Sequence, residues 1–279
     1  MNNNEKLRQD KSKGLEMYFS PEIALKFAEL EQNDKNFRVA RIADRVLMKE
    51  TKDFDNPIYV AELGGGAHPD RYHDFFDKLL TEPSGHIDWV DISPYMLDLA
   101  KKYIEDEKYK KRNEVISFIK SDILEYLDKL EDNKLDVAIM KYTIDHMENI
   151  EDLFRLLSSK LKPGGKLIST IGSMSPELKS YSTNARFPYN GESFPDDEVR
   201  ILKDGDNFTV KFFKVSGDPN AGYLDGAETV KYFHSADKFR EMADTFGFDI
   251  FLGDWKEFID EEKQEGEKMD QGILVLTKK

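Results

Sequence analysis

Three carboxylates stand where apolar stretches end: Glu62 after Ile58–Ala61, Asp91 after His86–Val90, and Asp122 just beyond Val115–Ile119. An ionised carboxylate only accepts hydrogen bonds, and Asp91 in such a place can accept from both hydroxyls of a ribose. Glu62 is followed by Leu63, then Gly64-Gly65-Gly66, Ala67, His68 and Pro69. Glycine tolerates φ > 0 and lets a ligand approach bare backbone. Pro69 suits the first position of a helix. The expected unit is therefore strand, tight turn and helix, with the first helical N–H groups aimed at a ligand. A further cluster, Lys141-Tyr142-Thr143-Ile144-Asp145-His146, follows the apolar run Leu135–Met140. His146 is its candidate for proton handling, because an unperturbed imidazole is part-neutral near pH 7.

These residues need a frame. Strands are expected at Ile58–Leu63, His86–Val90, Val115–Ile119, Leu135–Met140 and Lys166–Ile171. Helices are expected between them. Ser93-Pro94 opens one with Met96, Leu97, Ala100, Tyr103 and Ile104 on one face. Asn149 opens another, with Ile150, Leu153, Phe154, Leu157 and Leu161. Repeated βα units imply a parallel sheet covered on both faces, with ligands at the carboxyl ends of its strands. Ahead of the sheet, Ser20-Pro21-Glu22 starts a helix to about Gln32, and a second helix covers Phe37 to Lys49. This N-terminal segment, residues 1–55, either packs on the sheet edge or forms a lid.

Two nucleotide-binding patterns compete for the glycine stretch. The dinucleotide pattern Gly-x-Gly-x-x-Gly asks for an acid about 20 residues later. Its third glycine would fall on Pro69, and Asp91 comes 25 residues after Gly66. The stretch resembles instead the first motif of the class I S-adenosylmethionine-dependent methyltransferases: apolar strand, acid, x, Gly, x, Gly, x, Gly. Glu62, Gly64 and Gly66 match, Gly65 lies between them, and His68 stands at the third glycine. The resemblance continues in order through Asp91, Asp122 and the loop from Lys141, and ends with the turn Lys162-Pro163-Gly164-Gly165. It implies that Asp91 holds a ribose and that Asp122 accepts from an adenine amino group. It also implies that the Ile123 N–H donates to the adenine ring and that Ile92 and Met96 lie at the adenine face. It places the loop after the fourth strand between cofactor and substrate, with Lys141 on the cofactor side and Tyr142, Asp145 and His146 as catalytic candidates. The cofactor so implied is S-adenosyl-L-methionine. Bland readings stand beside these: Asp91 and Asp122 as helix caps, Ile92 and Met96 as core.

The implied fold is α/β: a doubly wound, mostly parallel seven-stranded sheet (the Rossmann-like methyltransferase fold) over residues 56–279. N-terminal helices precede it and a β-hairpin insertion interrupts it at residues 173–235. In the insertion, Phe208–Val215 and Glu228–Ser235 alternate like two strands. Arg186, Phe187, Tyr189, Tyr223, Tyr232 and His234 are either pocket lining or the hairpin's own packing. After it, Ser235 caps a helix to Phe246, Gly247 stops it, and Phe248–Leu252 and Ile273–Thr277 complete the sheet. The resemblance makes the last strand antiparallel, inserted between its predecessors.

Composition bounds the partners. The 279 residues carry 39% hydrophobic side chains, no cysteine and a net charge of −14. Without cysteine there is no disulfide, thiolate nucleophile or thiolate metal site, and no metal is expected. An acidic protein repels phosphate backbones, so nucleic acid is disfavoured. No apolar run approaches the ~20 residues of a membrane span, and the polar start, Met1 to Lys13, lacks the apolar core of a secretory signal. The expectation is a cytoplasmic enzyme that methylates a small-molecule nitrogen or oxygen. The rival readings are a non-catalytic cofactor-binding protein of the same fold and a methyltransferase acting on protein or RNA. A nicotinamide dehydrogenase fails on glycine and acid spacing, and an aminopropyl transferase matches only in the glycine loop.

Overall fold

The computed structural model describes residues 14–33, 37–55, 57–69, 72, 74–81, 83–105, 107–172, 175–181, 185–215, 218–254 and 272–279. Two helices, α1 (Pro21–Asn33) and α2 (Phe37–Glu50), precede strand β1 (Tyr59–Leu63). Then come α3 (Asp74–Leu79), β2 (His86–Asp91), α4 (Pro94–Ile104), β3 (Ile116–Lys120), α5 (Ile123–Lys129), β4 (Leu135–Met140), α6 (Ile150–Lys160) and β5 (Leu161–Ile171). The insertion carries β6 (Glu177–Lys179), β7 (Ala185–Arg186), β8 (Val199–Ile201), β9 (Asn207–Phe213) and β10 (Tyr223–Tyr232). The chain closes with α7 (Ala236–Phe246), β11 (Phe248–Asp254) and β12 (Gly272–Lys278).

The main sheet has seven strands in the order β11-β12-β5-β4-β1-β2-β3. β1 to β5 run parallel, and β12 lies antiparallel between β5 and β11. Side chains alternate between the faces of a strand, and the two cores follow that alternation. Ile58, Val60, Ile87, Trp89, Val137 and Ile139 pack with Val46 and Leu47 of α2, Phe75 and Phe76 of α3, and Leu97 and Ala100 of α4. Ala61, Leu63, Val90, Ala138 and Met140 pack with Leu127 of α5, Leu153 and Phe154 of α6, and Phe239 and Met242 of α7. The chain leaves β1 toward β2 and β3 on one side, while β4 and β5 lie on the other. The strand order thus reverses between β1 and β4, and the crevice at their carboxyl ends is where such a sheet takes a ligand.

Local sequence explains the helix starts. Ser93, Asn149 and Ser235 accept from N–H groups of the first turns of α4, α6 and α7. Gly247 (φ 77°) ends α7 in the left-handed conformation. Three expectations are corrected. Pro69 lies in a 3-10 turn rather than at the start of an α-helix, and the α-helix begins at Asp74, where the Asp44 carboxylate of α2 accepts from the Asp74 and Phe75 N–H groups, both at 3.1 Å. Those N–H groups therefore cap against α2 and do not face a ligand. Strand β5 pairs already at Leu161, opposite Leu135, loops out through the Pro163-Gly164 turn, and resumes at Lys166 opposite Val137. The insertion is more than a hairpin. β9 and β10 pair antiparallel, β7 adds a third strand, and β6 and β8 form a separate ladder. β10 starts at Tyr223, earlier than its alternation, because an irregularity between Tyr223 and Glu228 breaks the period. The acidic stretch 260–271 lies outside the described residues.

The N-terminal segment divides. α2 belongs to the sheet core. The short helix Glu16–Phe19 and α1 instead lie over the carboxyl end: Met17, Phe27 and Ala28 pack with Ala67, Met96 and Ala227.

Candidate active site

The end of β1 delivers Glu62 to the face that carries Val60, where it is fully buried. Its Oε2 accepts from the Tyr72 hydroxyl at 2.9 Å, and Oε1 lies 3.8 Å from Lys141 Nζ. Burial pushes its pKa up to about 7, against the pull of Lys141 and Tyr72. The Lys141 ammonium sits 4.0 Å from the centre of the Tyr72 ring and 5.8 Å from that of Trp89. Carboxylate, ammonium and two aromatic faces thus meet below the glycine loop.

The loop is held by its own backbone. Gly64 and Gly65 N–H donate to Val90 O at 2.8 and 3.0 Å, and Gly66 N–H donates to Asp91 Oδ2 at 2.9 Å. The Trp89 indole donates to Gly66 O at 2.9 Å. A Cβ on Gly65 would stand 2.4 Å from that indole, so only glycine fits. A Cβ on Gly66 would meet nothing within 4 Å: this backbone faces open space, as a ligand-facing backbone must. Asp91 Oδ1 accepts from Ser93 N–H at 2.8 Å. Asp91 thus holds the loop and the start of α4 together at the carboxyl end of β2. Ile92 is half-buried beside it. Met96 is buried under Met17 and Phe27.

Asp122 caps α5: its Oδ1 accepts from Leu124 and Glu125 N–H at 3.0 and 3.2 Å. Ile123 is the first residue of that helix. Both stand at the carboxyl end of β3, beside Asp91 across the sheet.

Beyond β4, Tyr142 adopts φ 55°, a conformation that costs a bulky residue of order 1–3 kcal/mol. Its N–H donates to Thr170 Oγ1 at 2.9 Å. Asp145 accepts from Gly172 N–H at 3.1 and 3.2 Å and from Lys231 Nζ at 3.3 Å. This carboxylate is therefore matched by a cation within the protein. His146 Nδ1 lies 2.9 Å from Val230 O. A carbonyl only accepts, so the proton sits on Nδ1 and the Nε2 lone pair is available to an acceptor group. Burial, aided by Lys231, pushes the His146 pKa down to about 4, against the Val230 carbonyl and Asp145. The imidazole is thus wholly neutral at pH 7 rather than part-neutral, and correspondingly weak as a base.

Several partners of the site lacked a signal in the sequence. Tyr18 packs edge-on against His146, ring centres 6.3 Å apart. Its carbonyl accepts from Ser93 Oγ. It therefore bridges the loops after β2 and β4. Gly14 O accepts from Val230 N–H at 3.0 Å and Thr229 Oγ1 at 2.8 Å. His68, in place of the third glycine, is buried and bonds Ala28 O of α1 through Nε2 at 2.9 Å. The aromatic candidates of the insertion mostly pack together: Phe187, Tyr189 and Phe208 join Leu178, Phe194, Leu202 and Phe233 in a separate core. Arg186 bonds Phe194 O, and Tyr223 stacks on Phe213. Tyr232 is half-buried, and its hydroxyl pKa is raised by burial and by Glu148. His234 bonds Met147 O, tying the insertion to the loop after β4. A cavity of about 290 Å³ lies at the opposite end of β1 and β2, lined by residues that include Tyr59, His86, Lys134 and Lys162, and shares no residue with the site. No group of three or more potential metal ligands occurs among the described residues, nor any helix long and apolar enough to cross a membrane.

A doubly wound sheet, a glycine loop at its reversal point and an acid at each neighbouring strand end define a nucleotide-type binding fold. Residues 72–169 match the family model of a methyltransferase domain. Phosphoethanolamine N-methyltransferase 2 of Caenorhabditis elegans is 29% identical over 124 residues, 43% of this chain and 25% of that protein. The protein-L-isoaspartate O-methyltransferase of Methanothrix thermoacetophila is 28% identical over 139 residues, 50% of this chain and 59% of that protein. The chain thus spans a quarter and about three-fifths of these curated relatives. An S-adenosylmethionine-dependent methyltransferase from Clostridium acetobutylicum superposes with a TM-score of 0.54 at 14% identity, covering 92% of this chain and 98% of that one. The chain thus contains a stretch that matches a methyltransferase domain, and its fold is that of the S-adenosylmethionine-dependent methyltransferase structure.

Proposed function

We propose that this chain transfers a methyl group from S-adenosyl-L-methionine to nitrogen or oxygen of a small-molecule acceptor. The observation that carries this reading is the convergence at the β1–β4 crevice of Glu62, the open face of Gly66, Asp91 and a neutral His146. The residues fit the cofactor: Glu62 for an ammonium, Gly66 for close approach, Asp91 for ribose hydroxyls, and Asp122 with Ile123 for the base. When bound, S-adenosyl-L-methionine supplies a methyl group on an already activated sulfonium. The protein's task is then placement, worth roughly 7–11 kcal/mol, more than the ~10²–10⁴-fold of general base help.

His146 Nε2 accepts a hydrogen bond from the acceptor's N–H or O–H and orients its lone pair toward the crevice. With a pKa of about 4 it is a poor base, which favours a neutral amine, whose proton leaves after attack, over a hydroxyl that must lose one first. The nematode relative is named for an N-methyl transfer to a small amine, in line with this preference. The net charge of −14 supports a small molecule over nucleic acid. Gly14–Ser20, clasped between β10 and Ser93 across His146, acts as a lid over the site.

Thermal unfolding with excess S-adenosylhomocysteine, and with NAD in parallel, tests the reading. Ligand at 100 times its dissociation constant adds about 2.7 kcal/mol, a rise of roughly 5–10 °C for a chain of this size. A rise with the homocysteine compound alone is expected, and no rise with it would overturn the proposal.

A further inference from the structure

Residue 68 departs from the glycine motif, and holding a cofactor does not by itself call for an imidazole there. His68 is buried, at 2% exposure. Its Nε2 lies 2.9 Å from Ala28 O, in the body of α1. A carbonyl only accepts, so Nε2 carries the proton and donates, and a helical carbonyl has a second lone pair for such a donor. The imidazole also lies against the Tyr103 ring of α4, centres 4.8 Å apart and planes 32° apart. The close approach is possible because α1 presents Ala24 and Ala28, one turn apart, to Ala67, and all three are buried. One side chain thus joins the glycine loop, α1 and α4. Only Ala67 separates it from Gly66, whose backbone faces open space on one side and is held on others by Asp91 and Trp89.

We propose that His68 is a positioning residue: it fastens the glycine loop to α1, so that the loop and the N-terminal cap above it move as one body. The inference rests on the methyltransferase reading for the ligand that the loop takes. Through Ser20, α1 joins the short helix Glu16–Phe19, whose Met17 packs with Ala67 and Met96 and whose Tyr18 meets His146. A ligand seated on Gly66 fixes the loop two residues from His68. Lifting the cap then means breaking the His68 bond or moving a loop that the ligand holds. Ligand therefore favours the closed cap, and by reciprocity the closed cap retains ligand by the same factor. The hydrogen bond is the link. The apolar packing around it is non-directional and lets α1 slide, whereas N–H···O sets distance and angle. A glycine at position 68 has no side chain to reach α1.

The test compares the full-length wild type with His68→Gly, His68→Phe and His68→Gln. Glycine restores the motif, phenylalanine keeps a ring against Tyr103 without a donor, and glutamine keeps an N–H donor. Chymotrypsin cleavage at Tyr18 is timed by mass spectrometry with and without S-adenosylhomocysteine, and the release rate of that compound is measured. In the wild type the compound is expected to slow cleavage by about tenfold. His68→Gly and His68→Phe are expected to be cut about tenfold faster in the free state, to lose the protection to within twofold, and to release the compound correspondingly faster. His68→Gln is expected to stay within a few-fold of the wild type on all three readouts. Packing alone would not distinguish Phe from Gln in this order. A wild type that binds the compound without protection at Tyr18 overturns the inference. So does a His68→Phe variant that is cut and protected like the wild type, or a His68→Gln variant that fails as His68→Phe does. Should His68→Phe not fold, His68→Leu takes its place against His68→Gln on the same terms. A wild type that does not bind S-adenosylhomocysteine refutes the methyltransferase reading instead, and the cleavage rates of the free variants then decide the role of His68 by themselves.

Discussion

Glu62 and His146 are both buried, and burial moves them in opposite directions because it always disfavours the charged form. Glu62 is held up at about 7 from 4.5, and His146 down at about 4 from 6.5. Between pH 4.5 and 7 the folded protein keeps a proton on Glu62 that the unfolded chain has released. Its contribution to stability is therefore complete below pH 4.5 and is lost as pH rises through 7, up to about 3 kcal/mol over the window. His146 behaves inversely: its contribution is complete above pH 6.5 and is lost as pH falls toward 4. An ammonium needs the ionised form of Glu62. Affinity for S-adenosylhomocysteine is thus expected to fall by about tenfold per pH unit well below 7, and Glu62→Gln to bind weakly with a flat profile. A wild-type profile that is flat from pH 5 to 8 would refute the role of Glu62. The acids after the strands were legible in the sequence because their positions follow from strand ends. The partners that set their chemistry were not. Lys231 reaches Asp145 from a strand 86 residues away, and nothing in the alternation of β10 marks that lysine for the site.

Elements were easier to read than their ends. Every expected strand of the main sheet forms, because apolar runs bounded by turn residues fix strands strongly, and Ser93, Asn149 and Ser235 cap the helices they precede. Pro69 opens only a 3-10 turn, and the α-helix starts at Asp74 for a tertiary reason: the capping carboxylate comes from Asp44, 30 residues earlier in sequence. A cap supplied at that distance leaves no local trace. α3 has only six residues and cannot stand on its own propensity. It is held by Phe75, Phe76 and Leu79 in the core and by Asp44 at its start. Asp44→Ala is expected to cost about 1–2 kcal/mol, read in urea as a lower midpoint with unchanged slope. Asp44→Asn, which still accepts, should recover most of it. An alanine variant with wild-type stability would mean that core packing alone sets the helix start.

At the scale of the whole molecule, three parts of the chain that are distant in sequence meet at one crevice. β10 of the insertion uses Val230 twice: its carbonyl fixes the His146 tautomer, and its N–H holds Gly14 O. Thr229 adds a second bond to the same Gly14 carbonyl. The N-terminal segment then carries Met17 onto Met96 and Ala67, and Tyr18 onto His146. Gly14 makes this approach possible. It has φ 82°, and a Cβ there would lie 2.6 Å from Val230 Cβ. Gly14→Val is therefore expected to detach the segment from β10 while the sheet and its two cores remain. Chymotrypsin should cut the variant at Tyr18 much faster than the wild type, since the segment loses its hydrogen bonds and burial. Dissociation of S-adenosylhomocysteine should accelerate by about tenfold or more, because covering contacts act mainly on the off-rate. Fast proteolysis with an unchanged off-rate would show that the segment packs over the crevice without closing it. Wild-type behaviour in both measurements would show that Val230 yields to the new side chain and the clasp survives. Only faster cleavage together with faster release supports a lid.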